Sequence, residues 1–248
     1  LYFPVLFILK EQVIWLFLLG VSFFYQSRTS KHVSQNIFDI LGVLWIISYA
    51  LTSITSQINI GLRHLLPIYP SLCIIAASGI YAVIHQTSFL RKIVVFSCIA
   101  VVLNIVTYAS APLSYFNLLM PSKKPTQWLI DSNYDWGQDA IRLGQWITDN
   151  KACGLFIDYY GRGDPYSFLP FGCRYKLINE KAEKPAQGSL IAISVSKLEL
   201  ERSKRLEGHT IGPGYSYLED LSPIDRVGKT IFIYRLPISR HPIPAAVR

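Results

Sequence analysis

Cysteine and methionine are scarce: 248 residues contain four Cys and one Met. Four cysteines are too few for a disulfide scaffold, and the absence of any CxxC pair removes the usual zinc pattern. Charge is also thin. Asp, Glu, Lys and Arg make up 16% of the chain, and few of them fall before residue 111. The net charge of +8 is spread along the sequence with no dense basic-aromatic cluster, so nucleic acid is not an expected partner. No nucleophile elbow surrounds any serine, no complete glycine-rich phosphate loop follows a strand, and His209 and His241 have no ligand spacing around them. Arg162-Gly163-Asp164 matches an integrin-binding tripeptide, but three residues recur by chance. Leu1 to Leu9 is apolar without a basic leader, which excludes a signal peptide. The chain reads as starting inside a transmembrane segment, and a preceding N-terminal part is expected.

What the sequence does have is apolar length. Just over half of the residues are hydrophobic and the mean hydropathy is +0.30, but the average conceals a division. Residues 1–114 read as membrane helices and 121–240 as an ordinary soluble domain. A spanning helix needs about 20 mostly apolar residues. The expected spans are Phe3 to Tyr25, interrupted by Lys10 and Glu11, then Ile37 to Ile54, Leu65 to Ile84, and Ile93 to Ala111. The expected architecture is therefore an α-helical transmembrane bundle of about four helices followed by a small extracytoplasmic α/β domain. Arg28 and Lys31 follow the first span, and Arg91 and Lys92 follow the third. The positive-inside rule puts both loops in the cytoplasm, and the loop around Ser56 to Arg63 and the C-terminal half outside an inner or plasma membrane.

Two polar features stand out in the apolar half. Lys10 and Glu11 either mark an intramembrane functional site or lie at an interface or a break between two half-helices. Arg63 and His64 stand at the outer mouth of a helix whose first turns contain Pro67 and Pro70. A guanidinium there either meets a phosphate at the membrane surface or anchors the helix to lipid headgroups.

In the second half, Asp131, Asp135 and Asp139 precede a helix ending near Asn150, whose apolar face is Trp136, Ala140, Leu143 and Ile147. The aspartates suit a metal or general-base role, or, at lower cost, capping and dipole compensation, with Asp135 or Asn133 as N-cap. Strands are expected at Gly154–Tyr160, Arg174–Ile178, Ser189–Val195 and Thr230–Leu236, with a helix at Lys197–Leu206. Cys153 and Cys173 are candidates for a disulfide if this half is extracytoplasmic.

The run Gly61-Leu62-Arg63-His64-Leu65-Leu66-Pro67-Ile68-Tyr69-Pro70 resembles a late transmembrane segment of bacterial polyprenyl-phosphate-sugar-dependent glycosyltransferases of the protein-mannosyltransferase superfamily. The stretch Asp131 to Asp139 resembles the opening of their C-terminal extracytoplasmic domain, and Ile224 to Tyr234 its closing strand. Lys10-Glu11 resembles a Lys-containing break in the corresponding place. The resemblance implies transfer of a sugar from a dolichyl- or undecaprenyl-type phosphate to a protein, lipid or glycan acceptor, in some members beside a divalent metal. It implies donor-phosphate contacts for Arg63, His64 and Lys10, and an acceptor-binding or structural role for Asp131, Asp135 and Asp139. In that family the catalytic acids lie in an early outer loop that precedes this sequence, so no catalytic residue is expected here and the chain alone is expected to be inactive. The alternative is a non-catalytic membrane-anchored binding or scaffold protein with an outer α/β domain.

Overall fold

The computed structural model describes residues 2–29, 33–55, 61–121, 125–127, 129, 131–179, 181–209 and 214–238. The chain separates into two compact units, Leu1–Pro125 and Thr126–Arg248.

The first unit contains helices α1 (Tyr2–Lys10), α2 (Val13–Thr29), α3 (Val33–Thr55), α4 (Tyr69–Ile84) and α5 (Ser88–Tyr108), with a 3-10 turn over Leu62–Ile68 leading into α4. Leu62–Ile84 and Ser88–Tyr108 are long and apolar enough to cross a membrane. Within α3, the stretch Asp39–Thr55 is apolar but shorter. The stretch expected as one span from Phe3 to Tyr25 is not straight, because α1 and α2 meet at 109°. With nine residues, α1 rises only about 13 Å, less than half of a roughly 30 Å hydrocarbon core. Two helices, or three if the bent pair counts as one, thus have the length and composition to span.

Small residues let these helices approach closely, as membrane helices do without a hydrophobic force between them. The Ser22 hydroxyl donates to the Ala76 carbonyl at 3.1 Å, joining α2 to α4. A methyl group at Gly79 would collide with the Ser22 backbone. Thr87 caps α5 by accepting from the Leu90 N–H. Most of α5 stays unpacked, with Phe96, Leu103 and Val106 each more than half exposed. Lipid covers such surfaces in membrane helices.

The second unit holds α6 (Ala140–Asp149) and α7 (Val195–Leu206) on a five-stranded sheet. Its strands are β1 (Phe156–Asp158), β2 (Lys176–Leu177), β3 (Leu190–Ser194), β4 (Asp225–Val227) and β5 (Ile231–Arg235), in the order β2-β1-β3-β5-β4. Strand β1 is parallel to β2 and β3, while β5 is antiparallel to β3 and β4. Period-two alternation sends Ala192 and Ile233 to the face covered by Leu143 and Ile147 of α6. Ile191, Ile193 and Tyr234 go to the opposite face, under Tyr215 and Leu218. Cys153 and Cys173 form a disulfide.

Two local expectations need correction. The helix begins at Ala140, with Asp139 rather than Asp135 or Asn133 at the N-cap position and no side-chain capping bond. Trp136 therefore lies outside it, 40% exposed, and Ala140, Leu143 and Ile147 form the buried face with Gly144. Strand β4 was not expected, because Asp225 and Arg226 are exposed on a sheet edge, where burial imposes no apolar signature.

Candidate functional site

The polar break between α1 and α2 organises one end of the first unit. Helix α1 stops because Lys10, Glu11 and Gln12 interrupt the apolar run, which leaves its last carbonyls without helical partners. Asn117 supplies them. Its side-chain amide donates to the Ile8 carbonyl at 2.5 Å and the Glu11 carbonyl at 2.6 Å, and its backbone N–H donates to the Leu9 carbonyl at 3.0 Å. The Asn117 side-chain oxygen accepts from the Leu119 N–H.

Lys10 bonds into the same segment. Its ammonium donates to the carbonyls of Leu113 and Tyr115 at 2.6 and 2.8 Å, and lies 4.4 Å from the centre of the Phe116 ring. The Glu11 carboxylate accepts from the Tyr69 hydroxyl at the head of α4. A cavity of about 220 Å³ opens beside these groups, lined by Lys10, Glu11, Gln12, Asn104, Tyr108 and Tyr115 among others. Asn117 and Gln12 carried no motif in the sequence. The signal that would have found Asn117 is a lone amide in the short segment after the last apolar helix.

Arg63 and His64 sit on the 3-10 turn that opens α4. It starts at Gly61, whose φ of 110° only glycine adopts readily. Leu65 and Ile68 anchor the turn in a core with Phe3, Leu19 and Leu72, and the Trp45 indole donates to the Pro67 carbonyl at 3.1 Å. Arg63 is exposed. The His64 ring stands edge-on to Phe3 at 6.2 Å, and its Nε2 is buried without a hydrogen bond. The His64 ring thus lies against the start of α1, and Lys10 ends that helix seven residues after Phe3, about 10 Å of helix rise away.

The Asp-rich stretch in the second unit performs a different task. Asp139 is fully buried, and its Oδ2 accepts from the Lys229 N–H, the Thr230 N–H and the Thr230 hydroxyl at 2.8–2.9 Å. Arg142 pairs with its other oxygen. A methyl group at Gly228 would overlap this carboxylate, so Gly228 permits the close approach of the β4–β5 turn. Asp135, also fully buried, accepts from the Gly137 N–H at 2.9 Å. Burial pushes its carboxyl up to about 6, against the opposing effect of the Gly137 N–H, and its Oδ2 is buried without a hydrogen bond among the described residues. Asp131 belongs to a one-turn 3-10 helix, Asp131–Asn133. With Asp139 filled by three donors and an arginine, the stretch does not suit a cation. Among the described residues no group of three or more His, Cys, Asp or Glu is placed to hold a metal.

A further buried carboxylate was not expected from the sequence. Asp158 ends β1, accepts from the Tyr215 hydroxyl and lies 3.3 Å from the Lys197 ammonium. Its only signal was one acid closing an apolar run. Comparison of the chain with protein-family models, curated proteins and solved structures finds no match.

Proposed function

We propose that this chain is the C-terminal part of an integral membrane glycosyltransferase that moves a sugar from a polyprenyl-phosphate donor to an acceptor on the extracytoplasmic face. The observation that carries the reading is Arg63: an exposed guanidinium held on a glycine-initiated 3-10 turn at the head of an apolar helix long enough to span. At that depth a cation meets lipid phosphates, and a planar guanidinium pairs with phosphate oxygens bidentately. When the glycosyl bond breaks, negative charge develops on the lipid phosphate. A preformed cation there stabilises the transition state more than the ground state. His64, fixed against Phe3, holds the turn that aims Arg63.

Topology supports the side of the membrane. If α2 to α5 cross in succession, Arg28 and the Arg91-Lys92 pair share one side, which the positive-inside rule makes cytoplasmic. Arg63, the α1–α2 break and the segment after α5 then share the outer side, and the bonds from Lys10 and Asn117 to and from residues 113–117 agree with this. The Cys153–Cys173 disulfide suits an oxidising compartment for the second unit.

The test is sugar transfer in membranes containing the complete gene product, using labelled polyprenyl-phosphate sugars. Arg63→Ala should lower transfer by about 100-fold or more, the order seen when one transition-state charge partner is removed, with insertion and expression unchanged. Unaltered transfer would leave Arg63 a headgroup anchor. No transfer from any such donor by the wild type would favour an anchored binding domain.

A further inference from the structure

The cavity beside the α1–α2 break has a chemistry that differs from a phosphate site. Lys10 already donates to two carbonyls and faces the Phe116 ring, and the Glu11 carboxylate adjoins it. An incoming anion would meet a cation whose charge is largely answered and a carboxylate that repels it. The Gln12 side-chain oxygen is buried with no hydrogen-bond partner among the described residues. A buried acceptor without a donor is a standing cost, and because that oxygen is closed to solvent, a ligand O–H removes the cost when the Gln12 side chain turns into the cavity. Tyr108 and Tyr115 pack edge to face with ring centres 4.7 Å apart, forming an aromatic wall. At about 220 Å³ the space lies below the roughly 300–1,000 Å³ of sites for drug-sized ligands, so it suits a single ring.

We infer that this cavity binds one neutral hexopyranose ring, with Gln12 and Glu11 accepting from its hydroxyls and Tyr108 and Tyr115 packing against its apolar C–H edge. A hydroxyl both donates and accepts, so the amide of Asn104 can serve the ring in either sense. The inference rests on the glycosyl-transfer reading and deepens it: sugar at the Lys10 end of α1, phosphate at the Arg63 end. The ring belongs either to the lipid-linked donor or to a sugar acceptor, which share this chemistry.

The experiment is calorimetric titration of the complete gene product in nanodiscs, prepared without glycoside detergents. The probes are citronellyl-phosphoryl glucose, mannose and galactose, the matching methyl glycosides, and citronellyl phosphate. Gln12→Leu should weaken the sugar-bearing probes about tenfold, the loss of one buried hydrogen bond, and leave citronellyl phosphate unchanged. Gln12→Asn, which keeps a neutral amide acceptor, should restore part of the affinity. A Gln12-dependent methyl glycoside assigns the cavity to a free or acceptor sugar, and dependence confined to the phosphoryl sugars assigns it to the donor. If citronellyl phosphate binds through Arg63 while Gln12→Leu changes nothing, the sugar site is overturned and the transfer reading stands. If no probe binds the wild type, both fall.

Discussion

The two units bury ionisable groups in different settings, and the contrast bears on the proposed function. In the second unit Asp139 is ringed by two backbone N–H groups, a hydroxyl and Arg142, and Asp158 by Tyr215 and Lys197. These carboxylates tie loops and α7 to the sheet and have little capacity left for a ligand. In the first unit Lys10, Glu11 and Asn117 also fasten one segment to another, but a cavity remains beside them with an unpaired acceptor, and Arg63 stands exposed. The second unit also keeps buried atoms without hydrogen bonds among the described residues, at Asp135 Oδ2, Ser196 Oγ and Glu201 Oε1, so it is the cavity beside the polar break, rather than an unpaired atom alone, that points to a ligand in the first unit.

The largest expected effect breaks the second unit. Asp139→Ala strips the acceptor from the part-buried Lys229 N–H and from the buried Thr230 N–H and hydroxyl, and should cost about 3–5 kcal/mol. The expected readout is earlier unfolding of the second unit in denaturant, followed by intrinsic tryptophan fluorescence, with the membrane helices retaining their circular dichroism. Loss of the helical signal in step would show that the units are not independent. Cys153→Ser comes next. It opens a bridge between cysteines 20 residues apart, and about 2–4 kcal/mol should disappear from the same transition.

A pH effect of similar or smaller size follows from Asp135. Its pKa is raised in the fold to about 6 from 3.8, so the folded state holds a proton that the unfolded chain has released. Stability should therefore fall as pH rises from about 4 to 6, by roughly 2–3 kcal/mol if the full shift is realised. Asp135→Asn should flatten that part of the profile. An unchanged slope in the variant would assign the titration to another group. The smallest effect sharpens the first unit: Asn117→Leu strips partners from the carbonyls ending α1 and should cost about 1–3 kcal/mol, read as faster hydrogen exchange at residues 8–12.

Much of this was legible in the sequence because lipid and sheet impose long patterns. The apolar runs gave the helices of the first unit, and the runs at Ser189–Val195 and Thr230–Leu236 gave the central strands, since burial demands a repeated residue type. Lys10 and Glu11 marked the break, because two charges in an apolar run are costly, but not its 109° bend, which depends on Asn117 more than a hundred residues away. The mis-set start of α6 has the same origin. A capping pattern satisfied locally by Asp135 was overridden by Asp139, whose carboxylate is committed to the distant β4–β5 turn. The order of the motifs suggested Arg63 and His64 as a pair, and only the fold shows the His64 ring against Phe3 while Arg63 is exposed. The signal for the three-residue strand Asp225–Val227, where only Val227 is buried, falls below what composition can carry.

The most direct test of the contrast is to compare transfer rates per inserted molecule for Arg63→Ala and Asp135→Asn at pH 7, using labelled polyprenyl-phosphate sugars and the complete gene product. The account predicts a loss of about 100-fold or more for the first, and a rate within about twofold of wild type for the second, where only the packing of a loop is altered. A stable Asp135→Asn protein without transfer activity, beside an Arg63→Ala protein that works normally, would place the chemistry in the second unit and contradict it.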